Sequence, residues 1–228
     1  MLSSNASLAL LMKEYGFFDR FKEMDDAELR RFIESFYILV REFPRQLGFL
    51  IARAPNKLTL FVLADNLVDE LGGPEKLEKR DFSAMHTELL RGLGRKVGIT
   101  DEEFETLEPN LPTQRHIMML EKAYQEKSFI EAAAYIAGGM ESVFPEIAKR
   151  IYVGLSSRFS EIELIHFSTH MTADVEHDQA FRDCLFPMME NDEAAREQFR
   201  RGALECARSQ RHLGEQLFPV GEASEVAK

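Results

Sequence analysis

His170, Asp174 and His177 stand at i, i+4 and i+7 in the stretch His166-Phe-Ser-Thr-His170-Met-Thr-Ala-Asp174-Val-Glu-His177. On an α-helix, at about 100° per residue, the three fall inside a roughly 60° arc and stack along one stripe. Phe167, Ala173, Phe181 and Cys184 flank that stripe, while Ser168, Thr172, Glu176, Gln179 and Asp183 point away from it. The face with two imidazoles and a carboxylate is therefore the inward face. A carboxylate taken out of water needs a partner there. Neutral imidazole and carboxylate are both good ligands for a divalent cation. A lone histidine on such a face is ordinarily a hydrogen-bonded core residue. Three ligand-type groups on one stripe ask for more, and for further donors from neighbouring helices.

Glu141 is the first such donor. Its stripe holds Ala134, Ala137, Gly138, Phe144, Pro145 and Ala148, all small or apolar, so it too faces inward and leaves space beside it. Glu70 shares a stripe with Leu63, Asn66 and Leu67, with Asp69 next to it as the other carboxylate on offer. His86 heads a stripe of Leu89, Leu90 and Leu93. Glu70, His86, Glu141, His170, Asp174 and His177 together make three carboxylates and three imidazoles, enough for two cations sharing a bridging carboxylate. Such mixed N/O sets suit iron or manganese better than zinc. Helical bundles are where carboxylate-bridged di-iron sites are built. Neither cysteine joins the set, which disfavours an iron–sulfur cluster. For a carboxylate-bearing substrate the polar residues to consider are His166, one turn before His170, then Arg53 and Lys149.

Nearly every segment that must position these groups reads as helix. Residues 2–12 suit a short first helix. Asp25-Asp-Ala-Glu28 resembles a capping box opening an amphipathic helix, which Pro44 should interrupt before a short helix from Gln46 to Arg53. Leu58 to Leu71 is the next helix, stopped at Gly72-Gly73-Pro74, and Asp81 to Val97 follows. Thr100-Asp-Glu-Glu103 is a second capping box, and Thr113 caps a helix through Tyr124. Ser128 starts a long helix to about Leu155, bent at Pro145. Ser160-Glu-Ile-Glu163 caps the motif helix, which runs to Phe186 and breaks at Pro187. The last helix covers Asp192 to Leu217, with a frayed tail over 219–228. No alternating strand pattern, repeat or low-complexity linker is present. The expectation is one all-α domain over 1–228, a compact bundle of about seven to nine helices.

Composition narrows the function. The 228 residues carry a formal net charge of -11, so no basic stripe is available for nucleic-acid phosphates, and an anionic membrane surface is disfavoured. Cys184 and Cys206 are too few for a disulfide framework and read as reduced thiols. No apolar run reaches the ~20 residues of a membrane span, and no signal peptide is recognisable. The expectation is a cytoplasmic protein.

Taken together, Asn66-Leu-Val-Asp-Glu70, His86-Thr-Glu-Leu, Glu141 and the final H-x3-D-x2-H resemble the haem-oxygenase-like di-iron oxidases and oxygenases, the iron-containing redox enzymes. Phe43 to Pro55 is similar to the family's helix before its first Glu, and the resemblance spans roughly Ala27 to Phe186. It implies the haem-oxygenase-like fold, two Fe(II) ions held by the six residues above with Glu141 bridging, and O2 as co-substrate. Manganese is a substitute the donor set would accept. The implied reactions are C–H abstraction, C–C cleavage or N-oxygenation of an amino acid, amine or fatty acid. A homodimer and an external electron donor are compatible with it. One branch of the family consumes a tyrosine of its own near the metals. Met140 and His166 stand where that branch's tyrosines would be sought, which disfavours such self-sacrifice here. Haem is disfavoured because no histidine precedes His86. The rival readings are a metal-free thiaminase-like or quinone-cofactor-forming enzyme on the same fold, and a non-catalytic helical interaction protein.

Overall fold

Apolar stripes at helical spacing, closed by side-chain caps, turn most of the chain into ten α-helices among the described residues, 17–218 in this computed structural model. The expected helix over 2–12 and the expected tail from 219 lie outside the described residues. A 3-10 turn (Phe17–Lys22) leads into α1 (Asp26–Ile51), α2 (Lys57–Glu70), α3 (Pro74–Lys79) and, after a second 3-10 turn (Phe82–Ala84), α4 (His86–Lys96). Then come α5 (Asp101–Thr106), α6 (Leu111–Glu126), α7 (Phe129–Ile136), a π-helical turn (Ala137–Glu141) and α8 (Phe144–Leu155). The chain finishes with α9 (Ile165–Met189) and α10 (Glu193–Leu217). Both expected capping boxes form. Asp25 accepts from the Glu28 amide at 2.8 Å, Thr100 from the Glu103 amide at 3.1 Å, and each glutamate returns the bond.

Several expected boundaries move, each for a physical reason. Pro44 does not interrupt α1, because Ile38 on one side and Leu47 and Leu50 on the other are fully buried and hold both halves in line. Pro187 likewise sits inside α9, with Leu185 and Met189 buried beside it. The segment from Ser128 to Leu155 is not one bent helix. It divides at the π turn, and Pro145 falls in the first turn of α8, where a missing N–H has no helical partner to lose. The Ser160–Glu163 box closes a turn ahead of α9 rather than the helix itself, Ser160 N donating to Glu163 Oε2 at 2.7 Å.

α9 runs through the middle of the bundle, against α8, α2, α4 and the π turn, while α10 covers α7 and the π turn. The approach of α10 is close because glycine sits at the crossing. A Cβ on Gly202 would drive into the Glu131 carbonyl oxygen, and one on Gly138 would stand 2.7 Å from the Ala203 Cβ. The crossing is also clamped by charge: buried Glu131 accepts from Arg201 Nε and from Lys127 Nζ, both at 2.9 Å. Gly202→Ala should therefore lower stability by about 2–3 kcal/mol, because the obstacle is backbone and cannot rotate away. Urea unfolding checks it: the midpoint falls at unchanged slope. No helix among the described residues is long and apolar enough to cross a membrane. Cys184 and Cys206 are free and buried.

Candidate metal centre

The helix ends do much of the positioning. Glu70 is the last residue of α2 and His86 the first of α4. The chain between them folds back through Gly72 and Gly73, whose φ of 97° and 87° suit glycine, and through α3. Gly72 packs on Ala84, where an added Cβ would meet backbone at 3.0 Å, so the turn before His86 is pressed toward the end of α2. Glu141 closes the π turn, and α9 supplies His170, Asp174 and His177 from one face. A carboxylate at a helix C-terminus, such as Glu70, meets the negative end of the helix dipole, so a cation beside it is doubly favoured.

All six candidate ligands come together, in two trios. Ligand atoms of Glu70, His86 and His170 lie within 4.8 Å of one another, as do those of Glu141, Asp174 and His177. Five of the six are buried and His177 nearly so. Glu70 Oε2 is 2.8 Å from His86 Nδ1, and the His86 and His170 rings are 4.5 Å apart. His86 Nδ1 is buried, yet the contact with Glu70 lacks hydrogen-bond alignment and the nitrogen has no other partner. In the second trio His177 Nδ1 is 3.3 Å from Glu141 Oε2 and 3.9 Å from Asp174 Oδ1.

The surrounding groups aim these ligands. His170 Nδ1 donates to the His166 carbonyl at 2.6 Å, which fixes the tautomer and leaves Nε2 facing the trio. Asn66 donates to Glu141 Oε1 at 3.1 Å, holding that carboxylate from α2. Asp69 accepts from His177 Nε2 at 3.0 Å, leaving Nδ1 for the centre. The adjacent acids thus divide the work: Glu70 joins a trio, and the partly exposed Asp69 orients an imidazole. Asp69→Asn should weaken divalent-metal affinity about 10- to 100-fold without removing a ligand. Titration of the metal-free protein with Mn(II) checks it, and unchanged affinity would count against an orienting role.

The electrostatics fit a cation. Burial, and then the nearby Glu141 and Glu70 carboxylates, push the Asp174 carboxyl well above its ordinary range. Burial opposes charge on Glu70 as well, but His86, His170 and His177 together pull its carboxyl down. His177 is moved to about 9: burial opposes its proton, and Glu141 and Asp69 outweigh burial. In the metal-free chain a proton on His177 offsets part of the carboxylate charge, and His86, whose charge burial opposes and Glu70 favours, shares that role. His170 is pushed down to about 4 by burial and by His86, so its imidazole is neutral and ready to ligate. Buried acids in mutual repulsion, the neutral imidazole of His170 and a His86 ring whose Nδ1 meets only the Glu70 carboxylate are the donor set of a divalent N/O site. The residues present fit iron or manganese.

Both trios border one cavity of about 190 Å³, walled chiefly by aromatic and aliphatic side chains such as Phe36, Phe43, Met140 and Phe144. His166 lines it too. It is buried, neither ring nitrogen has a hydrogen-bond partner, and its ring is 4.4 Å from that of His170. Burial, then His170 and His86, hold it neutral. Arg53 and Lys149 are not brought to the site. Arg53 donates to the carbonyls of Tyr124 and, at 2.6 Å, Lys127, closing the C-terminus of α6, and Lys149 is exposed on α8. Sequence reasoning did not reach the roles of Asn66 and Asp69, since an Asn or Asp one turn or one step from a ligand carries no local mark of what it will touch.

This architecture is the haem-oxygenase-like fold. A protein of that described fold from Shewanella denitrificans OS217 superposes with a TM-score of 0.73 at 11% identity, covering 94% of this chain and 88% of that one. A TenA homologue from Pseudomonas syringae pv. tomato DC3000 gives 0.75 at 10% identity, over 95% and 90% of the two chains. Residues 30–211 match the model of the iron-containing redox enzyme family, and the chain belongs to that family. Among characterised relatives, the 4-aminobenzoate synthase of Chlamydia trachomatis serovar D is 24% identical over 186 residues, 79% of this chain and 76% of the relative.

Proposed function

We propose that this protein is a non-haem di-iron oxidase or oxygenase, using O2 to oxidise a small organic molecule bound in the cavity. The observation that carries the reading is the pair of buried carboxylate–imidazole trios on the wall of one largely apolar cavity. Glu70, His86 and His170 would hold one Fe(II), and Glu141, Asp174 and His177 the other. Bound there, two ferrous ions would supply the electrons that O2 needs before it reacts with closed-shell organic molecules. The chain's own contribution is orientation and exclusion of water. Asn66 and Asp69 fix Glu141 and His177, while Phe36, Phe43 and Phe144 present hydrocarbon to the substrate. His166 sits beside the first trio as a neutral imidazole able to contact substrate.

Met140 and His166 line the cavity where a sacrificial tyrosine would be sought, which supports a diffusible substrate rather than self-consumption. The buried free thiols of Cys184 and Cys206 are compatible with a cytoplasmic setting.

The test is metal analysis of protein produced with iron, followed by O2 uptake after anaerobic reduction. About two irons per chain and iron-dependent uptake support the reading. Stoichiometric zinc without uptake, or turnover that survives complete chelation, would replace it with a metal-free enzyme on this fold.

A further inference from the structure

Besides His166, which sits against the first trio, the cavity wall carries polar side chains outside both trios with hydrogen-bonding capacity left over, Gln46 and His116 among them. Gln46, on α1, is 3% exposed, lines the cavity and makes no hydrogen bond among the described residues. His116, on α6, is 5% exposed and uses Nδ1 on Ser209 Oγ at 2.7 Å, with no protein partner on Nε2 among the described residues.

The two helices bring these groups to similar levels. α1 and α6 run side by side in the same direction: Asn110 donates to Ser35 near one end, and Arg53 donates to the Tyr124 and Lys127 carbonyls near the other. Along the helix axes this register sets the levels of Gln46 and His116 about one turn apart, on the wall of the same cavity.

An amide that faces a cavity can hydrogen-bond only to what enters it, and the rest of the wall here is mostly hydrocarbon. Burial keeps His116 neutral, its value pushed down to about 4. Arg211, the one Lys or Arg among the described lining residues, is half-buried and paired with Glu215 at 2.9 Å. The amide both donates and accepts. The imidazole offers one position, donor or acceptor according to how Ser209 turns.

We propose that Gln46 and His116 form a binding subsite for an uncharged group that both donates and accepts hydrogen bonds, a hydroxyl or primary amide, carried by a predominantly hydrocarbon substrate. The inference rests on the oxidase reading for the fate of that substrate, not for its binding. A carboxylate at this subsite would lose its hydration with no unengaged cation opposite. An ammonium held by these two residues would meet an amide and a neutral imidazole, while the carboxylates on the wall belong to the metal trios. The subsite thus selects against amino acids and charged amines, and for molecules such as aliphatic amides and alcohols.

Calorimetric titration of the full chain, iron-loaded and chelator-stripped, with octanamide, 1-octanol, octanoate and octylamine tests this. Octanamide and 1-octanol should bind about tenfold more tightly than the two charged probes. Gln46→Leu should weaken octanamide about fivefold, the effect of losing one hydrogen bond, and narrow its advantage over octanoate. Equal or tighter binding of octanoate or octylamine by the parent protein would overturn the proposal, whether or not the variant folds. So would unchanged octanamide affinity in a folded Gln46→Leu protein, which would mark the amide as serving trapped water only. Gln46-dependent binding in stripped protein, with no O2 uptake by the loaded form, would keep the subsite and defeat the oxidase reading. The reverse pattern would defeat the subsite alone.

Discussion

Replacing Glu141 by alanine is expected to abolish iron-dependent O2 uptake while leaving a folded helical protein. The carboxylate is buried at the end of the π turn and touches the rest of the site through Asn66 at 3.1 Å and His177 at 3.3 Å. Truncation therefore deprives Asn66 and His177 of an acceptor, a cost of about 1–2 kcal/mol that the bundle can absorb. The functional cost is larger. Glu141 is one of the three donors of the second trio, so its loss would leave that trio with two. Removing an outer partner of a metal ligand costs about 10- to 100-fold, and removing a ligand itself should exceed the upper figure. Oxygen-electrode traces of reduced, iron-loaded protein, read beside far-UV circular dichroism, separate the two effects. Uptake within a few-fold of the parent, in a protein of normal helicity, would exclude Glu141 from the chemistry.

The α9 motif was legible because a helix repeats every 3.6 residues. Once Phe167, Phe181 and Cys184 mark the inward face, His170, Asp174 and His177 must share it, and these three apolar residues are indeed buried. Glu141 was legible for the same reason, although the helix that was expected to carry it is interrupted. The π turn is a tertiary product: Ala137, Gly138 and Gly139 lack the bulk to keep α10 away, and the backbone widens locally where that helix presses in. The pairing of Glu70 with His86 depends on residues 71–85. Their path needs positive φ at Gly72, Gly73 and Arg80 together with packing on Ala84, and only the glycines announce themselves in sequence. Proline misled twice. Its local rule is real, but burial on both sides of Pro44 and Pro187 exceeds the strain that one ring introduces. Gln46 was invisible because an amide within an apolar stripe reads as a surface residue until the cavity is seen.

Asp174→Asn is expected to act in opposite directions with and without metal, and no purely structural role would give that pattern. In chelated protein Asp174 is a buried acid facing the Glu141 and Glu70 carboxylates, with its own carboxyl held well above the ordinary range. A group whose folded value is raised in this way destabilises the fold as pH rises past its unfolded value of 3.8, where only the unfolded chain can ionise freely. Asparagine keeps the shape and removes the ionisable group. The chelated variant should therefore be more stable than the chelated parent by roughly 2 kcal/mol near neutral pH, with the gap closing toward pH 4. Metal reverses the order. A divalent ion at 100 times its dissociation constant should stabilise the parent by about 2.7 kcal/mol per site, and the variant, short of one charged ligand, should gain little at its own second trio. Thermal unfolding of both proteins with chelator and with excess Mn(II), at two pH values, gives all the comparisons in one experiment. A variant less stable than the parent under chelation would mean that protonated His177, 3.9 Å from Asp174 Oδ1, outweighs the repulsion from the other two carboxylates. Equal stabilisation of both proteins by Mn(II) would remove Asp174 from the metal centre.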